Sequence, residues 1–147
     1  MKLYHVSTIK YNDGDRITLL PNEEASYYKN ADSLQRDVVN RFDKFIDTYY
    51  PNYLHRCNAL FVFDNPRYAF WFNPNGYIYE VDMRVSYKGP FVLVTTLMQF
   101  IDNRNKADAI LKEYYSPDYA VDKKEWCAFE YLGNEMTIIQ KIDFEAY

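Results

Sequence analysis

Two runs, Ala59-Leu60-Phe61-Val62-Phe63 and Tyr77-Ile78-Tyr79-Glu80-Val81-Asp82-Met83, and the residues between them decide the fold class. The first run is continuously apolar, aromatic and partly β-branched, and too short for a buried helix, so it reads as a central strand. Asp64 or Asn65 then caps a short helix whose first position is Pro66, where a missing N–H costs nothing, and Arg67 to Phe72 continue it. Asn73-Pro74-Asn75-Gly76 stops that helix, and the second run is another strand, its alternation partly broken at Ile78. Short strands with helices set between them imply an α+β domain.

Upstream, Leu3 to Val6 reads as a strand and Asn12-Asp13-Gly14-Asp15 as a turn. After Asp32 the period changes. Leu34, Val38, Phe42, Phe45, Ile46 and Tyr49 recur at three- and four-residue steps, which puts them on one helical face, and Pro51 ends the pattern. Downstream, Gly89-Pro90 marks a turn and Phe91 to Val94 a further strand. Leu97 to Tyr115 is helical, as one helix or as two broken at the polar Asp102 to Lys106. Met136 to Phe144 reads as a strand partly buried on both faces. With no repeat, low-complexity tract or boundary, residues 1–147 form one domain.

Composition narrows the function classes. Hydrophobic residues at 48% and aromatics at 19% suffice for a packed core. A net charge of −4 gives no global field toward nucleic acid or an anionic membrane. No stretch reaches the roughly 18 apolar residues of a membrane span, so a cytoplasmic setting without membrane partners is expected. Cys57 and Cys127 fit no CxxC spacing and read as reduced core residues. The two histidines form no zinc-spaced grouping, so no metal is expected, and phosphate-loop, dinucleotide-loop and GxSxG signatures are absent.

His5 stands out, because a histidine in the middle of an N-terminal strand presents its ring from a rigid element toward a cleft. Alone it reads more simply as a structural residue bonded to backbone. Its surroundings add to it. Tyr4-His5-Val6-Ser7 is followed by Gly14-Asp15-Arg16-Ile17, then by the strand at Leu60, the short helix with Ala69 and Trp71, the strand Tyr77 to Asp82, and Gly89-Pro90-Phe91. In this order the chain resembles the ADP-ribosyltransferase superfamily, most of all the small rifampin-type enzymes. Those show Tyr-His-Gly-Thr, then Gly-Asp, then an aromatic strand, a short helix, and Tyr-Val-Tyr-Glu-Val before Gly-Pro-Phe.

The resemblance implies two small packed β-sheets with helices inserted and an NAD cleft between them. NAD would be the substrate and ADP-ribose the transferred group, passed to a protein, nucleic-acid or small-molecule acceptor, as in toxins and in phage or defence effectors. Net charge gives nucleic acid no support as a partner. Cleavage at the nicotinamide–ribose bond passes through an oxocarbenium-like state, which calls for a carboxylate by the ribose and polar groups on its hydroxyls. By the resemblance His5 bonds a ribose hydroxyl, and Tyr4, Val6 and Ser7 flank it along the dinucleotide. Phe61, Trp71, Tyr77 and Tyr79 are available to sandwich the nicotinamide. Glu130 resembles the acid of the His-Tyr-Glu branch, with Glu125 and Glu135 competing for the role.

Phe61 stands where the family often has Tyr, and Val6 where it has Gly. These departures support an alternative, a nucleotide- or partner-binding module of the same fold without transfer. A phosphate-transfer activity on RNA ends would call for clustered Arg, and the arginines are dispersed. A nucleophile pair of His55 and Cys57 is disfavoured because such close chain neighbours point apart. Arg36, Arg41 and Lys44, interleaved with Asp37 and Asp43, read as a solvated helix face, and Lys123-Lys124 as an exposed loop pair.

Overall fold

A computed structural model describes residues 1–116 and 128–143. It is an α+β structure with a seven-stranded sheet whose neighbouring strands are all antiparallel. The strands are β1 (Leu3–Ser7), β2 (Arg16–Thr18), β3 (Leu60–Phe63), β4 (Tyr77–Met83), β5 (Tyr87–Pro90), β6 (Phe129–Gly133) and β7 (Glu135–Ile142). They lie in the order β2-β7-β4-β1-β3-β6-β5. The described helices are α1 (Ser26–Lys29), α2 (Ser33–Tyr49), α3 (Pro66–Phe72), α4 (Phe91–Gln99) and α5 (Arg104–Tyr114), with a 3₁₀ turn at Arg56–Asn58.

The expected pair of packed sheets is one sheet instead, but it is narrow at the waist. β1 pairs with β4 through five residue pairs, from Leu3↔Val81 to Ser7↔Tyr77, and with β3 through Tyr4↔Phe63 alone. From that pair toward the end of β1 the two strands part. One sheet face gathers Leu3, Val62, Tyr79, Val81, Met136 and Ile138 under Tyr11, Ile17 and Leu19. The other gathers Tyr4, Val6, Phe63, Ile78 and Ile142 against Ala69 of α3.

Local chemistry explains the helix boundaries. Asp32 accepts from the Gln35 amide at 2.8 Å while the Gln35 side chain accepts from the Asp32 amide, a reciprocal cap that starts α2. Val38, Phe42, Phe45 and Ile46 are buried as the period predicts, whereas Leu34 and Tyr49 at the two ends are exposed. Of the two cap candidates for α3, Asn65 accepts from the Arg67 amide at 2.9 Å, with Pro66 next in the chain. The helical pattern after Leu97 resolves into two helices, the second capped by Asn103.

Phe91 to Val94, expected as a strand, opens α4. Its β-branched residues favour a strand locally, but Leu93, Val94 and Leu97 bury against Leu111 and Ala107 of α5 and Phe42 of α2, and tertiary burial outweighs propensity. Gly89-Pro90, expected as a turn, closes β5. Gly89 is required there because the Tyr114 ring occupies the space that a Cβ would fill. Among the described residues no helix is long and apolar enough to cross a membrane.

Candidate functional site

Where β1 and β3 part, the fold opens a cavity of about 470 Å³, within the ordinary size of small-molecule pockets. β1 and the residue after it supply His5, Val6, Ser7 and Thr8. Tyr11 comes from the following loop, and Ala25, Ser26, Tyr27 and Asn30 from in and around α1. Gln35 and Val38 come from α2, Arg56 from the 3₁₀ turn, and Ala59, Leu60 and Phe61 from the start of β3. Trp71, Phe72 and Asn73 close the end of α3, and Phe91, Val94, Thr95 and Met98 belong to α4.

His5 bridges the parting strands. Its Nδ1 lies 2.8 Å from the Phe61 carbonyl oxygen. A carbonyl only accepts, so Nδ1 carries the proton and donates it. Burial pushes the imidazole below its ordinary 6.5, and the bond to Phe61 restores only part of that shift. The ring is therefore neutral at pH 7, with Nε2 as a lone-pair acceptor that has no protein partner among the described residues. Around it the walls are aromatic: Tyr27 meets Phe61 edge-on at 5.1 Å, and Phe72 stacks on Phe61 at 6.2 Å. Trp71 is 67% exposed at the rim, tilted against Tyr68.

At the cavity wall Arg56 forms a buried ion pair with Glu130 behind it. Arg56 is 2% exposed and Glu130 fully buried. The Arg56 Nη1 donates to Glu130 Oε1, Nη2 donates to Oε2 at 3.2 Å, and the Tyr114 hydroxyl donates to Oε1 at 2.7 Å. The Arg56 guanidinium lies over the rings of Phe42 at 4.4 Å and Phe61 at 4.8 Å. Burial, the largest single influence, would pull Arg56 down; the Glu130 carboxylate, together with the Tyr114 and Tyr87 phenols, outweighs it and holds Arg56 well above its ordinary value. The Nε of Arg56 has no hydrogen-bond partner among the described residues.

The structure thus brings His5, Val6, Ser7, Phe61 and Trp71 to one cavity, and leaves other expected residues elsewhere. Tyr4 alternates to the opposite sheet face, against Phe63 and Ala69. Tyr77 lies outside the cavity, its ring beneath the Lys141 ammonium at 5.0 Å. Tyr79 packs edge-on against Tyr11. Glu130 is held behind Arg56, and no carboxylate lines the cavity among the described residues. Glu135 pairs with Arg16 at the β2–β7 edge of the sheet. Glu125, Lys123, Lys124 and Cys127 lie outside the described residues. No protein-family model and no curated protein matches the chain.

Arg56 is a cavity residue that the sequence did not mark. It sits between His55 and Cys57, where a His and a Cys draw attention first. Those neighbours have separate partners: His55 Nε2 lies 2.6 Å from Asp47, and the Cys57 thiol donates to Asn58. Burial, with Asp43 second, pushes the half-buried Cys57 thiol up to about 12, which keeps it protonated and poorly nucleophilic. No group of His, Cys, Asp and Glu among the described residues is arranged to hold a metal ion.

Proposed function

We propose that this chain binds NAD, as a domain of the ADP-ribosyltransferase kind, and receives the nicotinamide–ribose end of the dinucleotide where β1 and β3 part. The observation that carries this reading is the bond from His5 Nδ1 to the Phe61 carbonyl, which leaves Nε2 as an acceptor at an aromatic-walled cavity. A ribose hydroxyl donates to Nε2, and Phe61, Phe72 and Tyr27 offer π-faces and edges to a flat ring. In transfer, the C1′–N bond breaks, its electron pair leaves with nicotinamide, and an acceptor nucleophile bonds C1′ as it gives up its proton.

A second reading, binding without transfer, is favoured by one specific observation. The Glu130 carboxylate accepts from both Nη atoms of Arg56 and from Tyr114, and no carboxylate lines the cavity among the described residues. Incubation with NAD labelled in the adenylate and in the nicotinamide, with and without cell extract, separates the two. Transfer releases nicotinamide and labels an acceptor; binding alone gives a calorimetric or thermal-shift response with no release. Either response should vanish in His5→Ala, and a wild-type protein that gives neither response excludes NAD as the ligand.

A further inference from the structure

β1 and β4 place His5 and Tyr79 directly opposite each other. These neighbours on one sheet face hold two different borders of the cavity. His5 ties β1 to β3 through the Phe61 carbonyl. Tyr79 is fully buried, and its hydroxyl accepts from the Tyr11 amide at 2.9 Å and donates to the Ile9 carbonyl at 3.2 Å. The loop so held runs from the end of β1 to the Asn12–Asp15 turn and contributes Thr8 and Tyr11 to the cavity wall. Its other bonds up to Asn12 are local, the Ile9 amide to the Ser7 hydroxyl and the Asn12 amide to Asp15, and the turn beyond is tied to β7 by the Gly14 amide and the Asp15 carbonyl, each 2.8 Å from the Ile138 backbone. The Tyr79 hydroxyl is therefore the tertiary hydrogen-bond anchor of residues 9–11, supported by the edge-on contact of the Tyr11 ring at 5.6 Å.

We infer that Tyr79 is a positioning residue for ligand binding, which acts without touching the ligand by fixing the loop that carries Thr8 and Tyr11 against the cavity. Both hydrogen-bonding capacities of a fully buried phenol are spent on the backbone of one loop, and that loop forms one side of the cavity. A Phe in its place fills the same core volume but leaves the Tyr11 N–H and the Ile9 carbonyl unanchored. The binding readout of this inference rests on the NAD reading above; the loop readout does not.

Tyr79→Phe tests it with amide hydrogen exchange, NAD affinity and thermal melting measured together. The Tyr11 amide should exchange about tenfold faster or more and NAD should bind about tenfold more weakly, on the scale of one lost anchoring hydrogen bond. The melting temperature should fall by only a few degrees, whereas a purely structural role would move the melt and leave the relative affinity of the folded protein unchanged. Unchanged protection at Tyr11, or unchanged affinity with Tyr11 exposed, overturns the inference. If the wild-type protein binds no NAD, the ligand reading falls, and exchange at Tyr11 alone decides whether Tyr79 holds the loop.

Discussion

Changing Glu130 to Gln removes one charge and almost no volume, and it leaves the Arg56 guanidinium, 2% exposed, as an unopposed buried cation. Breaking a buried pair from one side costs about 3–5 kcal/mol, because the remaining charge has lost its compensation. Gln still offers a carbonyl oxygen to Tyr114 and to one Arg56 N–H, so the lower end, about 3 kcal/mol, is expected. With a urea dependence of about 2 kcal/mol per molar, the unfolding midpoint should fall by about 1.5 M. Far-ultraviolet circular dichroism across a urea series reads this directly. Arg56→Met with Glu130→Leu should recover to within about 1 kcal/mol of the parent, since apolar replacement removes both desolvation costs together. Glu130→Gln unfolding at the parent midpoint would refute the reasoning; if that variant also lost NAD turnover, Glu130 would be an acid within reach of the ligand.

Three further outcomes are expected. The folded-state pKa of His5 lies below 6.5, so the unfolded chain takes up a proton at a higher pH than the folded one. The His5 contribution to stability is thus fully present above about 6.5 and lost as pH falls through the folded-state value. NMR titration of its ring should show a neutral Nδ1–H tautomer at pH 7, and a protonated ring at that pH would contradict the bond to Phe61. Gly133→Ala aims a Cβ at the Arg84 backbone carbonyl and the Met83 side chain; the backbone cannot yield, and a loss of about 3 kcal/mol, or roughly 10 °C in melting temperature, should follow. Peptide-resolved alkylation at pH 8 should find Cys57 at least about a hundredfold slower than an ordinary thiol; rapid labelling of the folded protein would contradict its elevated pKa.

How much of this was legible in the chain depended on how local each cause is. The apolar period from Val38 to Ile46 and the stop at Pro51 are local to one helix, and α2 is where they put it. Asn65-Pro66 and the runs at Leu60 and Tyr77 are equally local and place β3, α3 and β4. β2, β5 and α1 are three or four residues long and carry no period to read. α4 was misread because Val92, Val94 and Thr95 favour strands, while the residues that make it a helix lie on α2 and α5. For the site, the strand position of His5 was visible, but its tautomer depends on a carbonyl 56 residues away. Arg56 and Glu130 are 74 residues apart, and neither sequence neighbourhood reveals that the other neutralises it.

The one-pair waist at Tyr4↔Phe63 divides the sheet into β2, β7, β4 and β1 on one side and β3, β6 and β5 on the other. Along the chain these halves are interleaved: it crosses between them after β2, β3, β4 and β6. Neither half can be cut out as a contiguous fragment, so a thin seam does not make two separable units. Strand order adds a constraint on synthesis. Among the described residues β2 has one strand partner, β7, which is also the last of the described strands and lies between β2 and β4. On the ribosome, residues 16–18 wait for residues 135–142 before their edge is covered. A nascent chain truncated before Glu135 therefore exposes β4 as a sheet edge, and self-association of such fragments, rather than partial ligand binding, is what premature termination of this protein should produce.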